Sequence, residues 1–274
     1  MKLIPVETPQ DFLVAQQFIE PHEKNCVSLA SLIRRKSDKL VFLLDSAESV
    51  LGILNLDSTI YHCIPDISKI DKNALKENLP FLMKKPVRCI SGETSSTEFL
   101  MQFFDTAAQV YPYKMMHWKG PIDTSTPLSN LSAGEEIIRC TEHDMEILHP
   151  LQKDYMKEEV AVPGRVLTDA EVDISLRQIL KNQLCFALTV DGDIVAKANT
   201  NAIGINCVQI GGVYTHPLYR RNGYAGALVT ALTNRALRSE KKPVLFVKEK
   251  NMPAFSLYRK IGFAECGQYA IAYY

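Results

Sequence analysis

Apolar and polar positions follow two rhythms along this chain, and the rhythms come in the same order in both halves. In the back half, EEIIRC (135–140) reads as a strand and HDMEILHPLQKDYMKEEV (143–160) as a helix. A second helix opens at Thr168, with Glu171 three residues on, the reciprocal pair of a capping box. LCFALTV (184–190), the turn DGD (191–193) and IVAKANTNA (194–202) read as a hairpin with aspartate and glycine at its tip. CVQIGGVYTH (207–216) is a further strand. The helix after it carries Ala225, Leu228, Val229, Leu232 and Ala236 on one apolar stripe. PVLFVKE (243–249), a short helix in MPAFSLYRKIG (252–262) that ends at Gly262, and a strand in QYAIAYY (268–274) complete the half.

The front half repeats this order: strands in KLVFLL (39–44), VLGILNL (50–56) and TIYHCIP (59–65), a helix in NALKENLPFLMKK (73–85), a strand in PVRCIS (86–91), a helix in STEFLMQFF (96–104) and a strand in YKMMHW (113–118). Pro86 corresponds to Pro243 and Phe99 to Phe255, offsets of 157 and 156, whereas Phe42 corresponds to Phe186 at an offset of 144. The back half therefore carries extra residues between these anchors, around 211–232. Shared element order across two halves is what a duplication leaves. The expected fold is mixed α/β: two tandem lobes, each a mixed twisted sheet flanked by helices. KGPIDTSTPLSNLSAG (119–134) has the look of a connector, which gives a front domain at 1–120, a linker at 121–134 and a back domain at 135–274.

Composition narrows the function. A chain of 274 residues has material for two cores. Lys plus Arg equals Asp plus Glu at 31 each, with no block of like charge, so neither nucleic acid nor a membrane surface is the expected partner. The seven cysteines are scattered and include no C-x-x-C pair, which predicts free buried thiols in a reducing compartment and no metal site. The N-terminal stretch has no signal-peptide pattern and no segment has the apolar length of a span, so a soluble cytoplasmic protein is expected. The oligomeric state is left open.

The extra segment, GGVYTHPLYRRNGYAGALVTAL (211–232), carries the chemistry. It runs from a strand through arginine and glycine into a helix, an anion site in outline: the unpaired N–H groups of a first helical turn and the positive end of its dipole converge there. Gly223 allows a positive φ and a close backbone approach, and Arg220 and Arg221 add fixed positive charge. Neither a dinucleotide-binding nor a P-loop fingerprint is present.

RRNGYA (220–225) resembles the [Q/R]-x-x-G-x-[G/A] motif of the GNAT superfamily of N-acetyltransferases, and NMPAFSLYRKIGF (251–263) is similar to its N-x-x-A-x-x-L-Y-x-x-x-G-F signature. The resemblance implies acetyl-CoA as co-substrate and transfer of its acetyl group to a primary amine by direct attack in a ternary complex. It places the pantetheine arm along a bulged strand at Gly212, Val213, Tyr214 and Thr215. The diphosphate falls at Arg220, Arg221, Asn222, Gly223, Tyr224 and Ala225, with Asn251 as a further contact or simply a helix cap. Tyr258 matches the tyrosine that protonates the departing thiolate. Glu158 and Glu159 border the expected amine entrance as candidate bases. A half-buried carboxylate there is expected to have a raised pKa, and Glu159 is favoured because Val160 starts an apolar stretch. In the front half Gln102 and Ser95 stand where Tyr258 and Asn251 do, so that lobe is expected to have lost its chemistry and to act as a scaffold. His216 is expected to be structural, and His117 and Trp118 to pack at an interface. The competing readings are a non-catalytic acyl-CoA-binding module and an interaction scaffold. The acceptor is open among antibiotic, polyamine, amino acid, peptide N-terminus and lysine.

Overall fold

The computed structural model describes residues 1–120, 131–160 and 166–274. Most of the expected linker therefore lies outside the described residues. The front half contains β1 (Lys2–Pro5), α1 (Pro9–Ile19), a 3-10 turn (Glu20–Asn25), α2 (Val27–Arg34), β2 (Leu40–Leu44), β3 (Val50–Asn55), β4 (Thr59–Cys63), α3 (Lys72–Leu82), β5 (Cys89–Glu93), α4 (Thr94–Met101) and β6 (Gln109–Trp118). The back half contains β7 (Glu135–Arg139), α5 (Met145–Tyr155), a π-helical turn (Met156–Val160), α6 (Asp169–Asn182), β8 (Cys185–Val190), β9 (Asp193–Ile203), β10 (Cys207–Thr215), α7 (Tyr224–Leu237), β11 (Lys242–Lys248), α8 (Met252–Ile261) and β12 (Phe263–Tyr273).

Local chemistry sets most of these boundaries. The Thr168 hydroxyl accepts from the Glu171 N–H while the Glu171 carboxylate accepts from the Thr168 N–H, so α6 starts on the expected capping box. Thr8 and Asp11 form a second box at the start of α1, an element the hydrophobic pattern did not reveal. Asp191 (φ 51°) and Gly192 (φ 93°) both adopt the left-handed conformation that a tight two-residue hairpin between β8 and β9 requires.

The strands form one sheet in the order β1-β2-β3-β4-β5-β12-β6-β11-β10-β9-β8-β7. The two lobes thus share a continuous 12-stranded sheet in which the last strand of each half is exchanged. β6 leaves the front lobe to lie beside β11, where His117 faces Val244, and β12 crosses back to lie beside β5, where Tyr273 faces Cys89. β6 and β12 pair with each other from Phe263 opposite Trp118 to Tyr273 opposite Gln109. Neither lobe exposes the edge at which the other begins, which removes two rows of unpaired backbone groups.

Strand alternation divides the back-lobe core. Leu188 packs with Leu228, Leu232 and Tyr258 on the α7 and α8 face, whereas Cys185 and Ala187 pack with Leu148 and Leu176 on the α5 and α6 face. His117 sits between β11 and β12, and Trp118 packs against the α7 and α8 core, as expected of interface residues. The lobes are also joined by side chains. The buried Glu23 carboxylate accepts hydrogen bonds from the N–H groups of Ile205, Asn206 and Cys207 at 2.7 to 2.9 Å, and Arg34 Nε donates to the Ile203 carbonyl at 3.1 Å. All seven cysteines are free thiols, and all but Cys266 are buried.

Candidate active site in the back lobe

β10 and β11 begin as a parallel pair, from Cys207 opposite Lys242 to Ile210 opposite Leu245. Beyond that point they no longer pair, although β10 runs on to Thr215 and β11 to Lys248. The cause lies in β10. Gly211 pairs with Asn199 and Tyr214 with Lys197, so Gly212 and Val213 together oppose one residue of β9 in a β-bulge. Gly212 takes φ 58°, and a Cβ at this position would run into the Asn199 side chain. Only glycine fits both demands.

At the end of β10 the chain turns through a short 3-10 segment, Pro217–Tyr219, into a loop with two left-handed residues, Arg221 (φ 72°) and Gly223 (φ 84°). Gly223 is the N-cap of α7, and no side chain caps this helix. Backbone N–H groups of residues 221–226 find no hydrogen-bond partner among the described residues, and the space where a Gly223 Cβ would stand is open. A run of unpaired amides at a helix start, with room in front of it, can receive an anionic group. The open edge of β10 can receive an extended chain bearing amides.

Arg220 does not face this cradle. Its Nε donates to the Thr215 carbonyl at 3.0 Å and its Nη2 to Glu158 Oε2 at 2.8 Å, while Glu158 Oε1 accepts from the Tyr214 hydroxyl at 2.7 Å. The raised pKa expected of the carboxylates is corrected here for Glu158. Burial pushes its carboxyl up, but the hydrogen bonds from Tyr214 and Arg220 and the Arg220 charge outweigh this and leave it below its ordinary value. Tyr214 is pushed up to about 12 by burial and by the same bond to Glu158. Asn222 Nδ2 donates to the Tyr219 carbonyl at 3.3 Å, steadying the loop. The Tyr224 hydroxyl donates to Glu135, tying α7 to β7. Ala225 follows in the first turn of α7.

Glu159, the next residue in the π-helical turn, is placed differently. Its carboxylate lies 3.1 Å from Lys248 Nζ, which also donates to the Glu159 carbonyl at 2.5 Å. Lys248 sits over the Tyr111 ring at 5.1 Å. The Glu159 charge is felt by Tyr155, Tyr113 and Tyr258. Tyr258, on α8, is 7 % exposed, and its hydroxyl makes no hydrogen bond among the described residues. Burial, then Tyr155 and Glu159, hold its pKa well above the ordinary tyrosine value, so the proton stays on the oxygen. Tyr258 and Glu159 thus belong to one neighbourhood, and Glu158 and Arg220 to another. Asn251 is the N-cap of α8, its Oδ1 accepting from the Ala254 N–H at 3.1 Å.

Several groups here were not singled out from the sequence. Lys197 on β9 is fully buried, with Nζ donating to the Gly212 carbonyl at 3.0 Å and to Asn199 Oδ1 at 3.2 Å, and it lies over the Tyr155 ring at 4.6 Å. Burial lowers its pKa to about 8. Lys248, Tyr111 and Tyr113 complete the neighbourhood, the two tyrosines arriving on the exchanged strand β6. A lysine spaced by two from Val195 and Asn199 was the available signal for Lys197. For Tyr111 and Tyr113 no local signal exists. In the front lobe, aligning α4 and α8 by their N-caps puts Glu93, not Ser95, opposite Asn251 and Leu100, not Gln102, opposite Tyr258. His216 begins the Pro217–Tyr219 turn and stacks edge-on with Tyr219, a structural place. Among the described residues no group of three or more His, Cys, Asp or Glu side chains could hold a metal ion, and no helix is long and apolar enough to cross a membrane.

Residues 192–271 match the family described as FR47-like protein. No curated protein matches the chain in sequence. Among solved structures, a tandem GNAT protein from the clavulanic acid biosynthesis pathway is similar at 11% identity and a TM-score of 0.62, over 99% of this chain and 97% of that one. A GCN5-related N-acetyltransferase from Sphaerobacter thermophilus is similar at 15% identity and a TM-score of 0.60, over 98% and 94% of the two chains. An acetyltransferase from the GNAT family of Colwellia psychrerythraea is similar at 11% identity and a TM-score of 0.59, over 100% and 99%. With the bulged and parting strands, the glycine-capped helix and the order of elements in both halves, this likeness establishes that the chain has the two-lobed GNAT fold.

Proposed function

We propose that the back lobe, residues 135–274, transfers an acyl group, most simply acetyl, from acyl-CoA to a primary amine, and that the front lobe, 1–120, carries no second transfer site. The observation that carries this reading is the parting of β10 and β11 beyond Ile210 and Leu245, directly beside the unpaired amides at the start of α7. Acetyl-CoA supplies an acyl group already activated as a thioester. The amides of Arg221, Asn222, Gly223, Tyr224 and Ala225 hold its diphosphate, with the Arg221 charge beside them. The open edge from Gly212 to Thr215 holds its arm, and backbone N–H groups there polarise the reacting carbonyl.

The remaining residues manage protons. Tyr258 donates its phenolic proton to the sulfur as the carbon–sulfur bond breaks, in a site dry enough to raise the basicity of the leaving group. Glu159 accepts the proton that the attacking nitrogen loses, and Lys248 holds this carboxylate in place. Asn251 serves by fixing the start of α8, and hence Tyr258. Glu158 is tied to Tyr214 and Arg220, which favours Glu159 as the base. No cysteine occupies a nucleophile motif, which supports direct attack.

The test is calorimetric titration of acetyl-CoA into the wild type and Gly223→Val, followed by an assay of CoA release with a panel of amines. Binding that is lost in Gly223→Val, with amine-dependent release in the wild type, supports the reading. Binding without release under any amine would leave an acyl-CoA-binding module, and equal affinity in the variant would remove the cradle from the site.

A further inference from the structure

Lys197 on β9 is a fully buried cation, and none of the proposed proton transfers uses it. An apolar side chain of similar length, such as methionine, fills the same volume without the cost of burying a charge, so stability does not account for the lysine. Its position does. Lys197 stands opposite Tyr214, beside the bulge in which Gly212 and Val213 together oppose one residue of β9.

Three contacts hold its ammonium. Nζ donates to the Gly212 carbonyl at 3.0 Å and to Asn199 Oδ1 at 3.2 Å, and it lies over the Tyr155 ring, 4.6 Å from the centroid. The Asn199 amide is oriented by its other end, since Nδ2 donates to the Thr200 carbonyl at 3.0 Å. The Gly212–Val213 peptide is trans. In a trans peptide the carbonyl and the following N–H point in opposite directions, so the Val213 N–H points away from Lys197. Cation, peptide and N–H thus lie in one row. A charge bound to the carbonyl oxygen draws electron density through the amide and leaves its N–H a stronger donor, the more so in a low-dielectric surrounding.

We propose that Lys197 is a positioning residue for acyl transfer: bound to the Gly212 carbonyl, its ammonium fixes and polarises the Gly212–Val213 peptide so that the Val213 N–H binds the thioester carbonyl oxygen. The inference rests on the acyl-CoA reading of the back lobe. As the amine attacks, negative charge grows on that oxygen, and the polarised N–H, with the lysine charge in line behind it, stabilises this charge. When the carbon–sulfur bond breaks, the carbonyl re-forms and the electron pair leaves with the sulfur, which takes the Tyr258 proton. Lys197 gives up no proton in this cycle. The titratable groups that face it are Tyr155 from α5, Cys185 from β8 and Cys140 just after β7. Burial pushes Tyr155 up to about 12, and the bond to Cys185 together with burial keeps the Cys140 thiol protonated. Cys185 is lowered, first by its bond from Cys140. Burial lowers Lys197 itself to about 8, so its ammonium is complete below that pH and lost above it.

Acetyl-CoA carrying ¹³C at its carbonyl is bound to the full chain, the carbonyl stretch is read by infrared difference spectroscopy, and affinity is read by calorimetry on the same samples. Near neutral pH, binding to the wild type should lower the stretch. Lys197→Met should keep the affinity within about threefold and lose at least about half of that shift. In the wild type the shift should fade as the pH is raised through about 8, while the Lys197→Met value stays flat. Should Lys197→Met fail to fold, the same pH series in Cys185→Ala decides, since the lysine then titrates there without the thiol, and a constant shift overturns the proposal. So does an equal shift in the wild type and Lys197→Met, or a pH dependence that survives in Lys197→Met and so belongs to Cys185. Affinity lost together with the shift would make the lysine a support of the strand alone and overturns it as well. A wild type that does not bind acetyl-CoA overturns the acyl-CoA reading itself, and this inference with it.

Discussion

Arg220 and Glu158 hold each other in the back lobe, Nη2 to Oε2 at 2.8 Å, although the family resemblance implies the phosphate cradle for one and the amine entrance for the other. Both side chains are close to half exposed, so the pair adds little to stability. Its consequence is for binding. Glu158→Gln releases the guanidinium toward the unpaired amides and should tighten acetyl-CoA by up to about fivefold, the scale of an exposed ion pair. Calorimetry at fixed ionic strength reads this, and a weaker affinity would mean that Arg220 serves the anion better when pinned.

Glu159→Gln should behave in the opposite way. Acetyl-CoA affinity stays near the wild type, and turnover drops by about 10² to 10⁴, the range for a positioned base. Lys248→Met should lower turnover less, since it frees the carboxylate without removing it. If Glu158→Gln loses turnover and Glu159→Gln keeps it, the two roles are reversed.

Tyr258→Phe leaves the buried ring contact with Phe263 in place and removes only the hydroxyl. Binding of acetyl-CoA should survive, with turnover lowered by about 10² to 10⁴. A change within a few-fold would hand protonation of the sulfur to water.

The pKa of Lys197 falls from 10.5 to about 8 in the folded chain, so between these values the unfolded chain holds more protons than the folded one. Stability therefore rises with pH across that window, and below pH 8 the full cost of the buried charge is present. Measured against Lys197→Met, whose own stability lacks this dependence, the wild type should gain up to about 3 kcal/mol between pH 8 and 10.5. Urea midpoints at several pH values read the difference, and parallel curves for the two proteins would show that the lysine does not titrate there.

Glu23→Ala should destabilise the chain by about 3 kcal/mol or more, because it leaves the buried N–H groups of Ile205, Asn206 and Cys207 without their acceptor. A single unfolding transition in the wild type that splits into two in the variant would locate the loss at the lobe interface. A change under about 0.5 kcal/mol would mean that water replaces the carboxylate without cost.

What the sequence by itself determined is what short-range chemistry controls. The capping box at Thr168, the hairpin at Asp191 and Gly192, the left-handed Gly223 and the end of α8 at Gly262 are decided by residues a few positions apart, and all are where the pattern puts them. The element order of the back half follows from the same local periodicity, whereas β1, α1 and α2 of the front half were not read from it. The bulge at Gly212 was legible only through the family resemblance, since its glycine alone does not say which side the strand opens. Tertiary structure decided the rest. β6 and β12 are apolar strands that fit the edge of either lobe, and nothing along the chain distinguishes keeping them from exchanging them. The exchange brings Tyr111 and Tyr113 to Lys248, far from it in sequence, and no period reports such a meeting. Glu158 and Glu159 are neighbours with the same side chain, yet the π-helical turn sends one to Arg220 and the other to Lys248. Which carboxylate faces the thioester side is therefore a property of that turn and of the strands behind it, because a side chain's direction is set by the backbone that carries it and its charge by the groups packed around it.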